Sequence, residues 1–295
     1  MRAIRRRFGG HKSFNPAAGK VRACAAIAVA VPVLAVLALP GPAAAKKGTV
    51  TLVGSGSSAA QPYMLALFAG YHKLHPGIKF SYNPDGGSAG VTDVQQGRSQ
   101  FAIQTAAPVA SNTGTHFYKL FLDALCIDVN NSNSTSDLSI GTVRSIFLGI
   151  DTAWSQVGGG GSGTIALYGR NATAGLYTFF KSAVLAGRSQ ASDVTQEASD
   201  SLVATQVASN RSGIGYVGLS HSTTSGQKPV QIGGVSCTAA NVRSEKYPLT
   251  HWDWAVLPTS HPSAQVVQFV EWVETSSAAG KIANRAGAVW QKEKL

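Results

Sequence analysis

From residue 49 onward one pattern recurs along the chain: a short apolar run, a loop of small residues, then a stretch with helical spacing. Residues 49–53 (TVTLV) read as a buried strand, and Gly54-Ser55-Gly56-Ser57-Ser58 as the loop that follows. Residues 61–74 then predict a helix with Met64, Leu65, Phe68 and Tyr71 on one face, stopped by His75-Pro76-Gly77. A second round runs through a strand at 78–82, the loop Pro84-Asp85-Gly86-Gly87-Ser88-Ala89-Gly90 and a short helix at 91–96. Strands are expected at 101–105 and 122–129, with a polar loop at 130–137 and a helix at 143–148. The glycine run 158–163 reads as a flexible surface loop. A third round follows: strand 164–168, the loop Gly169-Arg170-Asn171-Ala172-Thr173-Ala174-Gly175, and a helix at 176–185. Residues 202–209 predict a helix and 213–218 a closely packed strand. Ser263 is placed to cap a C-terminal helix carrying Val266, Val267, Phe269, Val270 and Val273. Strands alternating with helices imply an α/β fold with largely parallel sheets.

Composition sharpens this picture. The chain has 295 residues, 44% hydrophobic and 13% charged, which is material for two lobes around large cores and excludes a disordered chain. Its net charge of +11 suggests a nucleic-acid partner, yet residues 1–45 hold seven of the 25 basic residues and no acidic one. The remainder has 18 basic against 14 acidic residues, a mild excess that attracts anions but outlines no nucleic-acid surface. Residues 1–45 read as an export signal: basic residues, then an apolar run at 24–39 too short to span a membrane, then Pro40-Gly41-Pro42 and Ala43-Ala44-Ala45. Cleavage is expected after Ala45, giving a periplasmic, secreted or cell-surface protein of 250 residues from Lys46. Cys24 opens the apolar run instead of closing it, which rules against a lipid-anchored start. Two cysteines remain, Cys126 and Cys237. In an oxidising compartment such a pair suggests a disulfide, the alternative being two buried thiols.

The three small-residue loops carry the candidate chemistry. A helix N-terminus presents backbone N–H groups without helical partners and a partial positive charge. Small residues let the backbone approach a ligand, and serine hydroxyls add rotatable donors. Arg170 supplies a planar fork that fits a tetrahedral oxyanion. A lone loop of this kind is commonly just a capped helix, with Ser57, Ser58 or Ser88 as caps, but three in one chain point to an anion site. Other chemistry lacks its residues. No glycine loop ends in the Gly-Lys-Ser/Thr of a nucleotide P-loop, and none is a nucleophile elbow. His72 and His75 sit at a helix end, while His221, His251 and His261 lack zinc spacing. Trp252-Asp253-Trp254 reads either as a cleft lining or as a strand edge.

At these loops the sequence resembles the phosphate-binding components of bacterial ABC importers, a family of type II periplasmic solute-binding proteins. The resemblance spans roughly residues 50–290. It is carried by Gly54-Ser55-Gly56-Ser57-Ser58, Gly87-Ser88-Ala89-Gly90-Val91 and residues 101–108. Ile146-Phe147-Leu148-Gly149 with Trp154, the 170–175 loop before Tyr177-Thr178-Phe179-Phe180, Ile214-Gly215-Tyr216-Val217-Gly218 and Tyr247-Pro248-Leu249 continue it. The resemblance implies a two-lobed fold with lobe one at 46–125 plus 248–295 and lobe two at 126–247. It implies a hinged cleft that closes on phosphate or a similar oxyanion and docks on a membrane permease. The expected protein is a monomer, with no enzymatic activity and no cofactor. The ligand set it implies is Ser57, Ser58, the N–H of Ala59, Ser88, Gln104, Thr105, Arg170 and Gly175, with Asn171 or Thr173 as substitute donors.

Two departures stand out. Gln104-Thr105 lies where the family usually has an aspartate, and Ala174-Gly175-Leu176 where it has Ser-Gly-Thr. A buried carboxylate only accepts hydrogen bonds and so selects an anion that still carries a proton; Thr105 in its place relaxes that choice. Two alternative functions follow. One is a binding fold turned to sensing, scavenging or adhesion, or to another oxyanion or small organic acid. The other is a phosphatase-like enzyme, for which the sequence offers neither metal cluster nor activated nucleophile.

Overall fold

A computed structural model describes residues 48–158, 160 and 163–291. The export signal and its cleavage position lie outside the described residues. The chain begins with β1 (Val50–Gly56), α1 (Gln61–Leu74), β2 (Ile78–Asn83), α2 (Gly87–Gln95) and β3 (Phe101–Gln104). The long β4 (Thr115–Asn130), short β5 (Asp137–Leu138), α3 (Ile140–Phe147), β6 (Ala166–Arg170), α4 (Gly175–Ala183), β7 (Thr195–Glu197) and α5 (Asp200–Ser209) follow. Then come β8 (Gly213–Gly218), β9 (Gln227–Pro229), β10 (Gln231–Ile232), α6 (Ala239–Arg243), β11 (Thr250–Pro258), α7 (Ala264–Thr275) and α8 (Ser277–Arg285).

The main sheet runs β2-β1-β3-β11-β4-β8-β6-β7, with β9 also on β4. The largely parallel sheet expected from the alternation is found only toward its two ends. There β1 pairs β2 and β3 in parallel, and β6 pairs β7 and β8 in parallel. The centre is antiparallel, because β4 and β11 are long strands that run back through the molecule. The ladder of β4 passes from β11, ending at Ala124, to β8, beginning at Leu125. This strand therefore belongs to both halves of a curled, two-lobed sheet.

Each half has its own core. One packs Tyr63, Met64, Phe101, Phe121 and Phe269 around α1 and α7. The other packs Phe147, Trp154, Phe180, Val184 and Tyr216 between α3, α4 and β8. On α1 the expected face is right for Met64, Phe68 and Tyr71, but Leu65 points outward and is half exposed. Its place inside is taken by Tyr63 and Leu67, which fall one helical turn from the other buried positions. Ser263 stands at the start of α7 but its side chain caps no backbone N–H; its hydroxyl donates to Gln265 Oε1 at 3.1 Å. Cys126 on β4 and Cys237 just before α6 form the expected disulfide, with Cα atoms 5.7 Å apart. Among the described residues no helix is long and apolar enough to cross a membrane.

Candidate functional site

Helix capping separates the helices of this fold into two kinds. The helices α3, α5, α6 and α8 are capped by the side chains of Ser139, Ser199, Thr238 and Ser276. The starts of α1, α2 and α4 have Ala60, Gly86 and Ala174 at the capping position and no side-chain cap. These three helices follow the small-residue loops, so none of those loops' serines stands at the capping position; α7 also lacks a side-chain cap but follows no such loop. Helix starts without a side-chain cap keep a positive potential, although several of their N–H groups already have partners: Gln61 donates to Ser58 O, Ser88 to Thr173 O and Ala174 to Asn171 O.

The three loops meet. Ser88 N–H donates to Thr173 O at 3.1 Å, and Thr173 Oγ1 donates to Asp85 O at 3.2 Å, joining the loop of β2–α2 to that of β6–α4. A Cβ placed on Gly87 or on Gly175 would overlap Gln104 Oε1, so the first residues of α2 and α4 press on this one oxygen. Oε1 also accepts the N–H groups of Thr105 (2.9 Å) and Ala106 (3.2 Å). Ser57 Oγ lies 3.1 Å from Thr105 Oγ1 and accepts the N–H of Ala60 at 3.3 Å.

Arg170 is 1% exposed. It is the last residue of β6, two positions later than the strand end expected from the sequence, so the sheet itself holds its backbone. Its N–H donates to Tyr216 Oη at 2.9 Å, and its carbonyl accepts Gln190 Nε2 at 3.1 Å. The guanidinium crosses the cleft: Nη1 donates to Ser58 Oγ at 2.7 Å and to Asp200 Oδ2. Nε and Nη2 donate to the carbonyls of Glu197 (3.1 Å) and Ala198 (2.9 Å). Ser58 Oγ in turn donates to Asp200 Oδ2 at 2.8 Å. Burial pushes the Asp200 carboxyl up. Arg170, His221, Ser58 and the N–H of Gly218 more than offset this and hold it below the usual carboxylate range.

Nothing in the sequence singles out Asp200. It follows the cap Ser199 and looks there like an ordinary acidic residue of a first helical turn. A second group is equally hidden: Asp123 on β4 and Asp253 on β11, both fully buried. Asp253 Oδ2 accepts the Tyr63 hydroxyl, while Oδ1 of Asp253 and Oδ2 of Asp123 have no hydrogen-bond partner among the described residues. Burial raises Asp253 to about 7, against the opposing pull of the Tyr63 and Thr105 hydroxyls. Burial and the neighbouring Asp253 raise Asp123 well above its ordinary value. The Trp252-Asp253-Trp254 run is thus no sheet edge. It pairs with β4 throughout and with β3 from Trp254 onward, with the aspartate turned inward.

All the anticipated site residues lie along this seam, with different surroundings. Ser57, Ser58, Ala59, Gln104, Thr105, Arg170 and Gly175 are buried at its centre, and Ser88 is half buried. Thr173 is exposed on the rim, and Asn171 Oδ1, 2.9 Å from its Oγ1, is an alternative acceptor to Asp85 O for its single hydroxyl proton. Ala174 and Leu176 are buried and apolar. Among the described residues no cluster of three or more His, Cys, Asp or Glu is arranged to hold a metal ion.

Comparison with known proteins agrees with this architecture. A family model described as a PBP superfamily domain matches residues 41–276. A phosphate-binding protein PstS of Bacillus subtilis is 27% identical over 69% of this chain and 69% of its own length. Among solved structures, a phosphate ABC transporter substrate-binding protein from Clostridium perfringens, with bound phosphate, superposes at a TM-score of 0.77. It has 20% identity and covers 82% of this chain and 100% of its own. An ABC-type phosphate transport receptor from Vibrio cholerae gives 0.67 at 24% identity, covering 81% and 100%.

Proposed function

The chain belongs to the PBP superfamily, and from that premise we propose that it is an exported solute-binding protein whose lobes close on a small oxyanion, phosphate first. In this reading it hands the anion to the membrane permease of an ABC importer and catalyses nothing. The carrying observation is the convergence of the uncapped α1, α2 and α4 N-termini beside Arg170 and Ser58. Small loops there give backbone N–H groups access to an anion from both sides of a cleft. Ser57, Ser58, the Ala59 N–H and Ser88 would contribute from lobe one; Arg170 and the Gly175 N–H would contribute from lobe two. The Bacillus subtilis relative, a phosphate-binding protein, supports the choice of ligand. The lobe boundary proposed at residues 125 and 126 is supported by the change of β4's ladder partner from β11 to β8 at that point. Export with cleavage after Ala45 belongs to the same reading.

A second reading is a binding fold turned to another small ligand or to sensing. One observation favours it: Arg170 is already paired with Asp200. Calorimetric titration of the mature chain from Lys46 with phosphate and with sulfate separates the two. Phosphate is expected to bind, and Arg170→Ala to weaken it at least about tenfold, the scale of one charged hydrogen bond. Sulfate binding of similar strength would reflect the lack of a carboxylate at Thr105. No heat with either anion, from a folded chain stripped of bound anion, rejects the oxyanion reading and favours the second.

A further inference from the structure

Gln104 fills the space between the first residues of α2 and α4. Its side chain is 4% exposed. Its Oε1 packs against the first residue of α2 on lobe one and of α4 on lobe two, and both of those residues are glycine. Neither helix has a side-chain cap, so the amide oxygen meets the positive ends of two nine-residue helices from opposite sides of the cleft. The same oxygen accepts the N–H groups of Thr105 and Ala106. Backbone N–H donors and converging helix ends are the surroundings that a buried oxyanion oxygen requires. The cation of the seam is likewise engaged, since Arg170 is paired with Asp200 and, across the cleft, with Ser58.

We propose that Gln104 is the affinity-setting residue of the cleft: its carboxamide oxygen acts as an internal neutral ligand between α2 and α4, and an external oxyanion binds by displacing it. The inference rests on the oxyanion reading and deepens it. An anion entering the site takes over the N–H donors and helix ends that Gln104 now uses. The binding free energy is reduced by the interactions the side chain must give up in order to leave. The amide also bridges the lobes, so it favours the closed arrangement in which Ser88 bonds Thr173 and Ser58 bonds Arg170. A cleft closed on its own side chain responds only to anion concentrations high enough to compete with that side chain.

The test uses the mature chain with inorganic phosphate as the probe. Calorimetry compares the wild type with Gln104→Ala, which removes the internal ligand, and with Gln104→Glu, which adds a negative charge at the same place. Gln104→Ala is expected to bind phosphate at least tenfold more tightly, and Gln104→Glu at least tenfold more weakly. In phosphate-free buffer, small-angle scattering should show a larger radius of gyration for Gln104→Ala than for the wild type. Gln104→Asn, one methylene shorter and unable to reach both glycines, should move both readouts the same way and replaces the alanine variant if that one fails to fold. Wild-type binding that is lost in Arg170→Ala but no tighter in Gln104→Ala or Gln104→Asn overturns this inference and leaves the oxyanion reading standing. Phosphate binding by neither the wild type nor the Gln104 variants overturns both.

Discussion

Asp200→Asn is expected to lower the unfolding free energy by about 3–5 kcal/mol at neutral pH. The substitution keeps the shape of the side chain and removes its charge, leaving the Arg170 guanidinium buried with no counter-ion. Arg170 is 1% exposed and Asp200 fully buried, so solvent screens little of the loss. Such a loss measures the cost of stranding a buried cation and is larger than the net contribution of the intact pair. Replacing both partners with apolar residues, Arg170→Met with Asp200→Leu, should therefore recover much of the stability. Urea unfolding of the wild type, the single variant and the double variant checks this, and a single-variant cost below about 1 kcal/mol would refute it. The same variant bears on ligand binding. A bound oxyanion supplies the negative charge that the asparagine side chain lacks, so phosphate should raise the melting temperature of the variant more than that of the wild type. Occupancy at a hundred times the dissociation constant adds about 2.7 kcal/mol. A larger phosphate shift in the wild type would mean that Asp200 helps to bind the anion instead of competing with it.

Local pattern is enough to place most elements of this fold, because the elements that build it obey local rules. The α1 helix is bounded by a proline in its first turn and by His75-Pro76-Gly77, and its limits agree with the sequence reading. The antiparallel centre of the sheet is not legible, since pairing between β4 and β11 joins residues more than a hundred positions apart. The candidate site divides in the same way. Its loops are contiguous in sequence and their small residues announce close backbone approach. The partner of Arg170 lies thirty positions away, in another helix, and nothing local marks Asp200 as different from any acidic first-turn residue. Asp253 is hidden by its neighbours. In Trp252-Asp253-Trp254 ordinary burial preference turns the tryptophans inward, whereas β11 turns His251, Asp253 and Ala255 inward and leaves both tryptophans half buried, with Lys119 over their rings at 5.1 and 5.9 Å. In the sequence Gln104 marks only the lack of a carboxylate; the geometry shows that its amide fills the space between two helix ends.

The buried acid behind the site leads to a distinct pH dependence. Asp253 faces Tyr63 from α1, Tyr82 from β2, Thr105 after β3, Asp123 from β4 and Asp200 from α5, and none of these is a cation. Its carboxyl is raised by burial from 3.8 to about 7, so between those values the folded chain binds a proton that the unfolded chain has released. Stability from this group is fully present below pH 3.8 and is lost as pH rises through 7. Asp253→Asn removes the titration while keeping an oxygen to accept the Tyr63 hydroxyl. The variant should therefore gain on the wild type by about 4 kcal/mol between pH 4 and pH 8, with most of the gain complete by pH 7. His251, lowered by burial to about 4, and Asp200 work in the opposite direction but titrate alike in the two proteins to first order. Asp123, which Asp253 helps to raise, titrates lower in the variant and changes the difference in the same direction. Denaturant unfolding of both proteins at several pH values measures that difference directly. A pH-independent difference would place the raised carboxyl elsewhere, with Asp123 and Asp128 the remaining buried acids whose oxygens lack partners among the described residues. Thr105 joins this acid to the seam, because its hydroxyl lies beside Asp253 and 3.1 Å from Ser57 Oγ. With Asp253 ionised, the Thr105 hydroxyl is drawn toward the carboxylate and offers the cleft a lone pair. With Asp253 protonated or replaced by Asn, the same hydroxyl is free to donate toward an anion, so Asp253→Asn should also raise sulfate affinity relative to phosphate at pH 8.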